Sequence, residues 1–484
     1  MPHAPTLPTT ASAAAVMRPT LALCLLLTMM TPTTIARNTD MPRADATTLA
    51  STAMPPPPAW LSDLDALYDL ELRVADLEDR TFNAEHWWSV ATPLLERAPG
   101  FRVEEIGRSV EDRPLRHVRW GDGKIPVLLW SQMHGDESTA TMALADLFRF
   151  LGEHPGHPLV KQLRANTTLH VFPIVNPDGA ARFQRRNVQG IDINRDARML
   201  ATPEARTLKA LYDRVKPTYG FNLHDQRVGY RAGHSDRGTA IALLSPPYNH
   251  AADVNDVRTR AIEVAGVVRA ALEPYLAGHI ARWDETFDPR AFGDLTTQWG
   301  SSTVLIEAGG IEGDVQKQHL RKLYFLGLVA ALDSIATGSH QGVSPALYRE
   351  LPENGDVWPD LLVRGGTLAV PGRSPMKADL LVNFRNPLME TDGAIADVGD
   401  LGTKKARRSI DARGLFIVPI PGHTGERTMI EANDDGENDE PSSPLPLTPG
   451  ASARFVLSRD PQGRDVVWTL DGSVDPAAPL PPRR

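Results

Sequence analysis

The chain has 484 residues, 42% of them hydrophobic and 23% charged, with 51 Lys and Arg against 60 Asp and Glu for a formal net charge of −9. This length supports two or three domains and a large core. The composition argues against wholesale disorder, and the acidic balance argues against a nucleic-acid partner.

Residues 1–36 read as a signal peptide. Arg18 precedes the apolar run 21–30, and a Thr-rich exit ends at Ala36. The run is too short to span a bilayer, which needs about 20 residues. The expectation is export to the periplasm or the outside, with no stable membrane insertion after cleavage. The sole cysteine, Cys24, lies in this segment. Leu23 stands where a lipoprotein signal would carry a small residue, which disfavours a lipid anchor. The mature chain then has no thiolate, so any metal must be held by His, Asp or Glu.

Residues 37–58 are Thr-, Ala- and Pro-rich and read as a linker. Residues 60–77 and 84–97 predict helices, the second capped by Asn83. Residues 101–106 and 113–120 predict a hairpin. Apolar strands then alternate with helices: strand 125–130, helix 138–151, strand 168–175, helix 203–215, strand 218–223, helix 255–276, strand 302–306 and helix 316–336. This pattern predicts an α/β domain over 59–340, with a mixed, mainly parallel sheet covered by helices on both faces. Beyond it the runs 360–363, 367–370, 378–382, 395–398, 415–418, 454–457 and 466–470 are short and separated by Gly, Pro and Asn. They predict a C-terminal all-β accessory domain over 341–484, a sandwich or small barrel, interrupted by an acidic and Pro-rich loop at 434–449.

The chemistry gathers at strand ends, where open α/β sheets bind ligands. His134 and Glu137 follow strand 125–130, three positions apart, and can face one metal ion. His224 ends the strand at 218–223, and Glu307 ends the one at 302–306. Taken singly, the HxxE spacing also suits a capped helix start, with Asp136 or Ser138 as the cap. A lone acid at the end of a buried strand can equally be half of an ion pair.

Jointly these residues resemble the zinc carboxypeptidases of the carboxypeptidase A type, over about residues 100–330. The resemblance extends to Glu105-Ile106-Gly107-Arg108-Ser109 with Arg113-Pro114-Leu115, and to Asn176-Pro177-Asp178-Gly179. It also takes in Arg185-Arg186-Asn187 and the run from Gly190 to Asp196. It implies one zinc ion per chain held by His134, Glu137 and His224, with Glu307 as general base. It further implies Arg185 as oxyanion stabiliser and Asn194 with Arg195 as the grip on a substrate carboxylate. Asp192 would orient the first zinc histidine; Asp225 would do the same near His224, or form an Asx turn. Asp294 lies in the stretch that lines the family's specificity pocket, where an acid would select a basic side chain or amine; a helix-cap role competes. One feature departs from the family: no tyrosine lies between Tyr275 and Glu307.

The implied activity is hydrolysis of an amide bond near a free carboxylate, in peptides or in muropeptides of peptidoglycan stems. Two rivals stand beside it, an N-acyl amino acid deacylase resembling aspartoacylase and succinylglutamate desuccinylase, and an inactive metal-binding module. The C-terminal runs faintly resemble the small β-sandwich of amidohydrolases, whose barrel and metal motifs are absent. The oligomeric state is not legible from these residues.

Overall fold

The computed structural model describes residues 54–420 and 445–470. The expected signal segment, most of the expected linker, residues 434–444 of the acidic stretch and the tail after 470 lie outside the described residues. Among those described, no helix is long and apolar enough to cross a membrane.

Helix α1 (Leu61–Leu67) runs into a π-helical turn at Tyr68–Leu72 and, after a break, a 3-10 turn at Ala75–Leu77. The single helix expected over 60–77 is thus interrupted, and the cause is tertiary. Val74 is extended because its N–H donates to Asp146 Oδ1 (2.9 Å) and its carbonyl accepts from Arg321 Nη2 (3.0 Å). Helix α2 (Ala84–Arg97) starts as expected, with the Asn83 side chain accepting the His86 N–H.

A hairpin of β1 (Arg102–Arg108) and β2 (Pro114–Trp120) leads to β3 (Ile125–Ser131), α3 (Thr139–Glu153), α4 (Pro158–Asn166) and β4 (Thr167–Phe172). A short α5 (Pro177–Ala180) and α6 (Pro203–Val215) precede β5 (Tyr219–Asp225), β6 (Tyr230–Ala232) and β7 (Ile241–Leu244). Helix α7 (Asp256–Leu276), β8 (Ile280–Arg282), α8 (Phe292–Gln298), β9 (Ser302–Ala308), α9 (Gln318–Thr337) and α10 (Ala346–Arg349) complete the region.

Eight strands form one mixed sheet in the order β1-β2-β4-β3-β5-β9-β7-β8. Its centre is parallel: β3 pairs with β4 and β5, and β5 with β9. Because side chains alternate along a strand, the apolar run of β3 serves both faces. Val127 and Leu129 join the larger core, which also holds residues of α3, α4, α7 and α9; Leu128 and Trp130 join a second core with residues of α6 and α8. A sheet buried on both faces follows, as the unbroken apolar strand implies.

Among the described residues from 354 onward, all the regular structure is strand. The strands are β10 (Asn354–Val357), β11 (Leu361–Leu368), β12 (Met376–Asn386), β13 (Thr391–Gly399), β14 (Arg408–Asp411), β15 (Phe416–Pro419), β16 (Phe455–Ser458) and β17 (Val466–Thr469). Seven of them share one sheet, in which β11 pairs with β12, β14 and β15. The two strands expected at 360–363 and 367–370 are a single β11, irregular between Val363 and Gly366, where Gly365 takes φ +68°. Ile395 N–H donates to Ala451 O and Ala453 N–H to Gly393 O, both at 2.8 Å. The run entering β16 thereby returns to β13, and the sheet rolls around Leu361, Val363, Leu380, Phe455 and Trp468. β10 instead pairs with β6, at Val357–Tyr230 and Asn354–Ala232.

The interrupted N-terminal helix is held by a fully buried ion pair. Arg321 donates through Nε to Asp146 Oδ2 (2.6 Å) and through Nη1 to Leu77 O (2.8 Å), and both charged side chains are 0% exposed. Tyr68 OH also donates to Asp146 (2.8 Å). Arg321→Leu leaves that carboxylate buried without its cation, which costs about 3–5 kcal/mol. Denaturant unfolding should show a loss of that size, and a change under about 1 kcal/mol would mean the pair holds nothing.

Candidate active site

Each chemistry-bearing side chain sits where a strand of the parallel centre ends. His134 and Glu137 follow β3, His224 is the penultimate residue of β5, and Glu307 is on β9. His224 and Glu307 are register partners on adjacent parallel strands. The turn after β3 is tight at Gly135, where a Cβ would come within 2.0 Å of the Gly179 backbone. Only glycine fits so close an approach. Asn176 ties the two turns together, accepting the Gly179 N–H (2.8 Å) and donating to Met133 O (3.2 Å). Asp178 reaches the hairpin, accepting from Ser109 Oγ and Arg113 Nη1 at 2.7 Å each. The separate sequence motifs are therefore one hydrogen-bonded frame. Ser138 is the N-cap residue of α3, but its hydroxyl donates to Arg80 O (2.7 Å) instead of capping the helix.

His134, Glu137 and His224 each offer one ligand atom within 4.8 Å of the others, and all three are buried. His134 Nδ1 lies 2.6 Å from Glu137 Oε1, and His224 Nδ1 lies 2.7 Å from Glu137 Oε2. The outer nitrogen of His134 meets Asp192 Oδ1 at 3.0 Å, and that of His224 lies 3.4 Å from Asn194 Nδ2. With its outer nitrogen engaged, His134 presents Nδ1 inward, as a metal ligand must. Two imidazoles and one carboxylate are a zinc donor set with room for a fourth ligand. The Glu307 Oε2 atom, buried and without a hydrogen-bond partner among the described residues, borders the same space. The residues present therefore fit zinc.

The electrostatics agree. Burial opposes charge on Glu137, but His134 and His224 hold its carboxyl well below the usual range. Burial, with Glu137 and Asp225 nearby, pushes Glu307 well above its ordinary value, against the pull of Arg185 and Lys317. Two carboxyls in one site are thus pushed in opposite directions, the pattern of sites that pair an ionised carboxylate with a proton-carrying one.

The remaining expected residues fall around this cluster. Arg185 lies with Nη1 3.1 Å from His134 Nδ1 and 3.2 Å from Glu137 Oε1, and its Nε donates to Asp192 (3.1 Å). Asn194 accepts the Phe292 N–H through its side chain (3.0 Å), and Arg195 Nη1 donates to Asn194 O (2.8 Å). Asp294 accepts the Asp288 N–H (2.9 Å), and burial raises its carboxyl to about 7. It thus ties down the loop before α8. The Asp225 carboxylate does not meet the His224 ring. It accepts from Thr139 Oγ1 (2.6 Å) and Lys317 Nζ (2.8 Å), while the Asp225 N–H donates to Glu137 Oε2 (3.1 Å).

Sequence reasoning missed Arg80 and Lys317. Arg80 Nη2 donates to Asp136 O (3.2 Å) and lies 3.5 Å from Asp225. Lys317, in the left-handed region at φ +51°, is buried against Asp225. Neither stands in a periodic apolar pattern, so nothing local marks it as interior. Tyr230 was also missed. Burial first, then the nearby Glu307 charge, raise its phenol, so β6 brings a tyrosine near Glu307.

The zinc carboxypeptidase family profile matches residues 90–239, which carry the HxxE turn, the Arg185–Asp196 run and His224. Residues 90–239 are thus similar to a zinc carboxypeptidase domain. Among its relatives is Carboxypeptidase SOL1 of Arabidopsis thaliana, 32% identical over 102 residues. That match covers 20% of this chain and 21% of the relative. Carboxypeptidase D of Anas platyrhynchos is 27% identical over 236 residues, covering 43% of this chain and 16% of the relative. The chain thus spans about a fifth or less of the length of these two relatives. Among solved structures, a metallo-carboxypeptidase from Burkholderia cenocepacia aligns with TM-score 0.41 and 18% identity, over 53% of this chain and 70% of that one.

Proposed function

We propose that the protein is a zinc-dependent metallopeptidase of the carboxypeptidase type, hydrolysing an amide bond near a free carboxylate in peptides or in peptidoglycan stem peptides. The observation that carries this reading is the convergence of His134, Glu137 and His224 from two strand ends, with Glu307 in register beside His224. His134, Glu137 and His224 would hold the zinc, which when bound lowers the pKa of a water towards neutrality and polarises the scissile carbonyl. Glu307 takes the nucleophile's proton and hands it to the leaving amine, a task suited to a carboxyl whose pKa is raised. Arg185 faces the ligand cluster and stabilises negative charge developing on the carbonyl oxygen. Asp192 fixes the orientation of both His134 and Arg185. Asn194 and Arg195 receive the substrate's carboxylate side.

The leader supports a periplasmic or secreted site of action, and the names of the relatives support peptide substrates. A screen of N-blocked peptides, N-acyl amino acids and muropeptides tests the reading. Cleavage of blocked peptides or muropeptides is expected. Activity confined to N-acyl amino acids would replace it with the deacylase reading.

A further inference from the structure

The loop between β8 and α8 carries an acid that already sits on Arg195. Asp288 Oδ2 lies 3.1 Å from Arg195 Nε, and Arg290 grips the same carboxylate through Nε (3.0 Å) and Nη2 (2.9 Å). Burial works to raise this carboxyl, but Arg290 and then Arg195 keep it below the usual range. The carboxylate is presented by fixed backbone. Asp288 N–H donates to Asp294 Oδ1, Ala291 N–H to Asp288 O and Ala197 N–H to Arg290 O, at 2.9 to 3.0 Å. Phe292 N–H donates to Asn194. Two of these bonds tie the loop to the segment that bears Arg195, so the acid and the arginine are held as a unit. Phe287, next in chain, is buried and packs edge-on against His250 (5.1 Å).

We propose that Asp288 is a specificity-determining residue, a built-in carboxylate that occupies Arg195 and disfavours a bare carboxylate on the substrate at that subsite. This rests on Arg195 lying in the substrate subsite, as proposed above. Two carboxylates sharing one guanidinium repel each other. A ligand whose carboxylate is accompanied by an ammonium group, or is replaced by an amide, escapes that repulsion. Because the Arg195 and Asp288 side chains are 40% and 24% exposed, solvent moderates the effect to a few-fold.

The test is calorimetric binding of an N-blocked dipeptide acid and of its C-terminal amide to the zinc-loaded full chain. A Glu307→Gln background slows turnover, so that binding is read before appreciable cleavage. Asp288→Asn keeps an oxygen for the Arg290 N–H. It should tighten the acid by about threefold to tenfold and leave the amide unchanged, and the gain should vanish when Arg195→Gln is added. An acid affinity unchanged or weakened by Asp288→Asn would overturn the proposal and leave Asp288 a loop anchor. Arg195→Gln alone checks the subsite separately. If it leaves the acid's affinity unchanged, the subsite reading fails and this inference is overturned with it.

Discussion

Glu307→Gln should lower kcat by about 10²–10⁴, the usual contribution of a general base, while zinc content and melting temperature stay close to wild type. Glu307 is buried, one of its oxygens lacks a partner, and Glu137 and Asp225 are like charges nearby. A charged carboxylate there costs stability, so an amide of the same shape removes a cost and no necessary contact. If Glu307 instead held the fold through the Lys317 charge, the substitution should destabilise the protein and lower activity in proportion. Thermal unfolding and steady-state kinetics on the same preparation separate the two. A near wild-type kcat would reduce the family likeness to fold alone.

His224→Ala should abolish tight zinc binding and bring hydrolysis to background. The imidazole is 1% exposed and offers the candidate ligand atom Nδ1, which faces Glu137 Oε2. Without it the site keeps two protein ligands, short of the three that a catalytic zinc takes. Asp192 would still orient His134, so the loss should show in metal content before it shows in the fold. Circular dichroism should report an unchanged secondary structure.

The candidate metal site was legible because its residues stand at punctuation points. HxxE follows an apolar strand, and His224 and Glu307 close two others, so chain order alone placed them on one edge of a parallel sheet. The longer helices were legible for a similar reason. Pro203 behind the cap Thr202 opens α6, and Asn83 and Asn255 cap α2 and α7. What was not legible depends on partners remote in sequence. Residues 60–77 carry a helical pattern, yet Arg321 and Asp146 bend them by claiming the Val74 backbone. Asp225 follows a ligand histidine and invites an orienting role, but Lys317, 92 residues on, takes its carboxylate. Strands β6, β7 and β8 have three or four residues each, too few to set a period. Arg195 matches a family motif, whereas the acid that sits on it comes from a loop with no motif at all.

The claim at the centre is that His134, Glu137 and His224 hold one catalytic zinc. Elemental analysis of the purified wild-type chain, before and after dialysis against a chelator and after re-addition of zinc, measures this directly. The expected result is one tightly held zinc per chain, with blocked-peptide hydrolysis lost on its removal and regained on its return. A chain that hydrolyses the peptide equally well after its zinc has been stripped would contradict it.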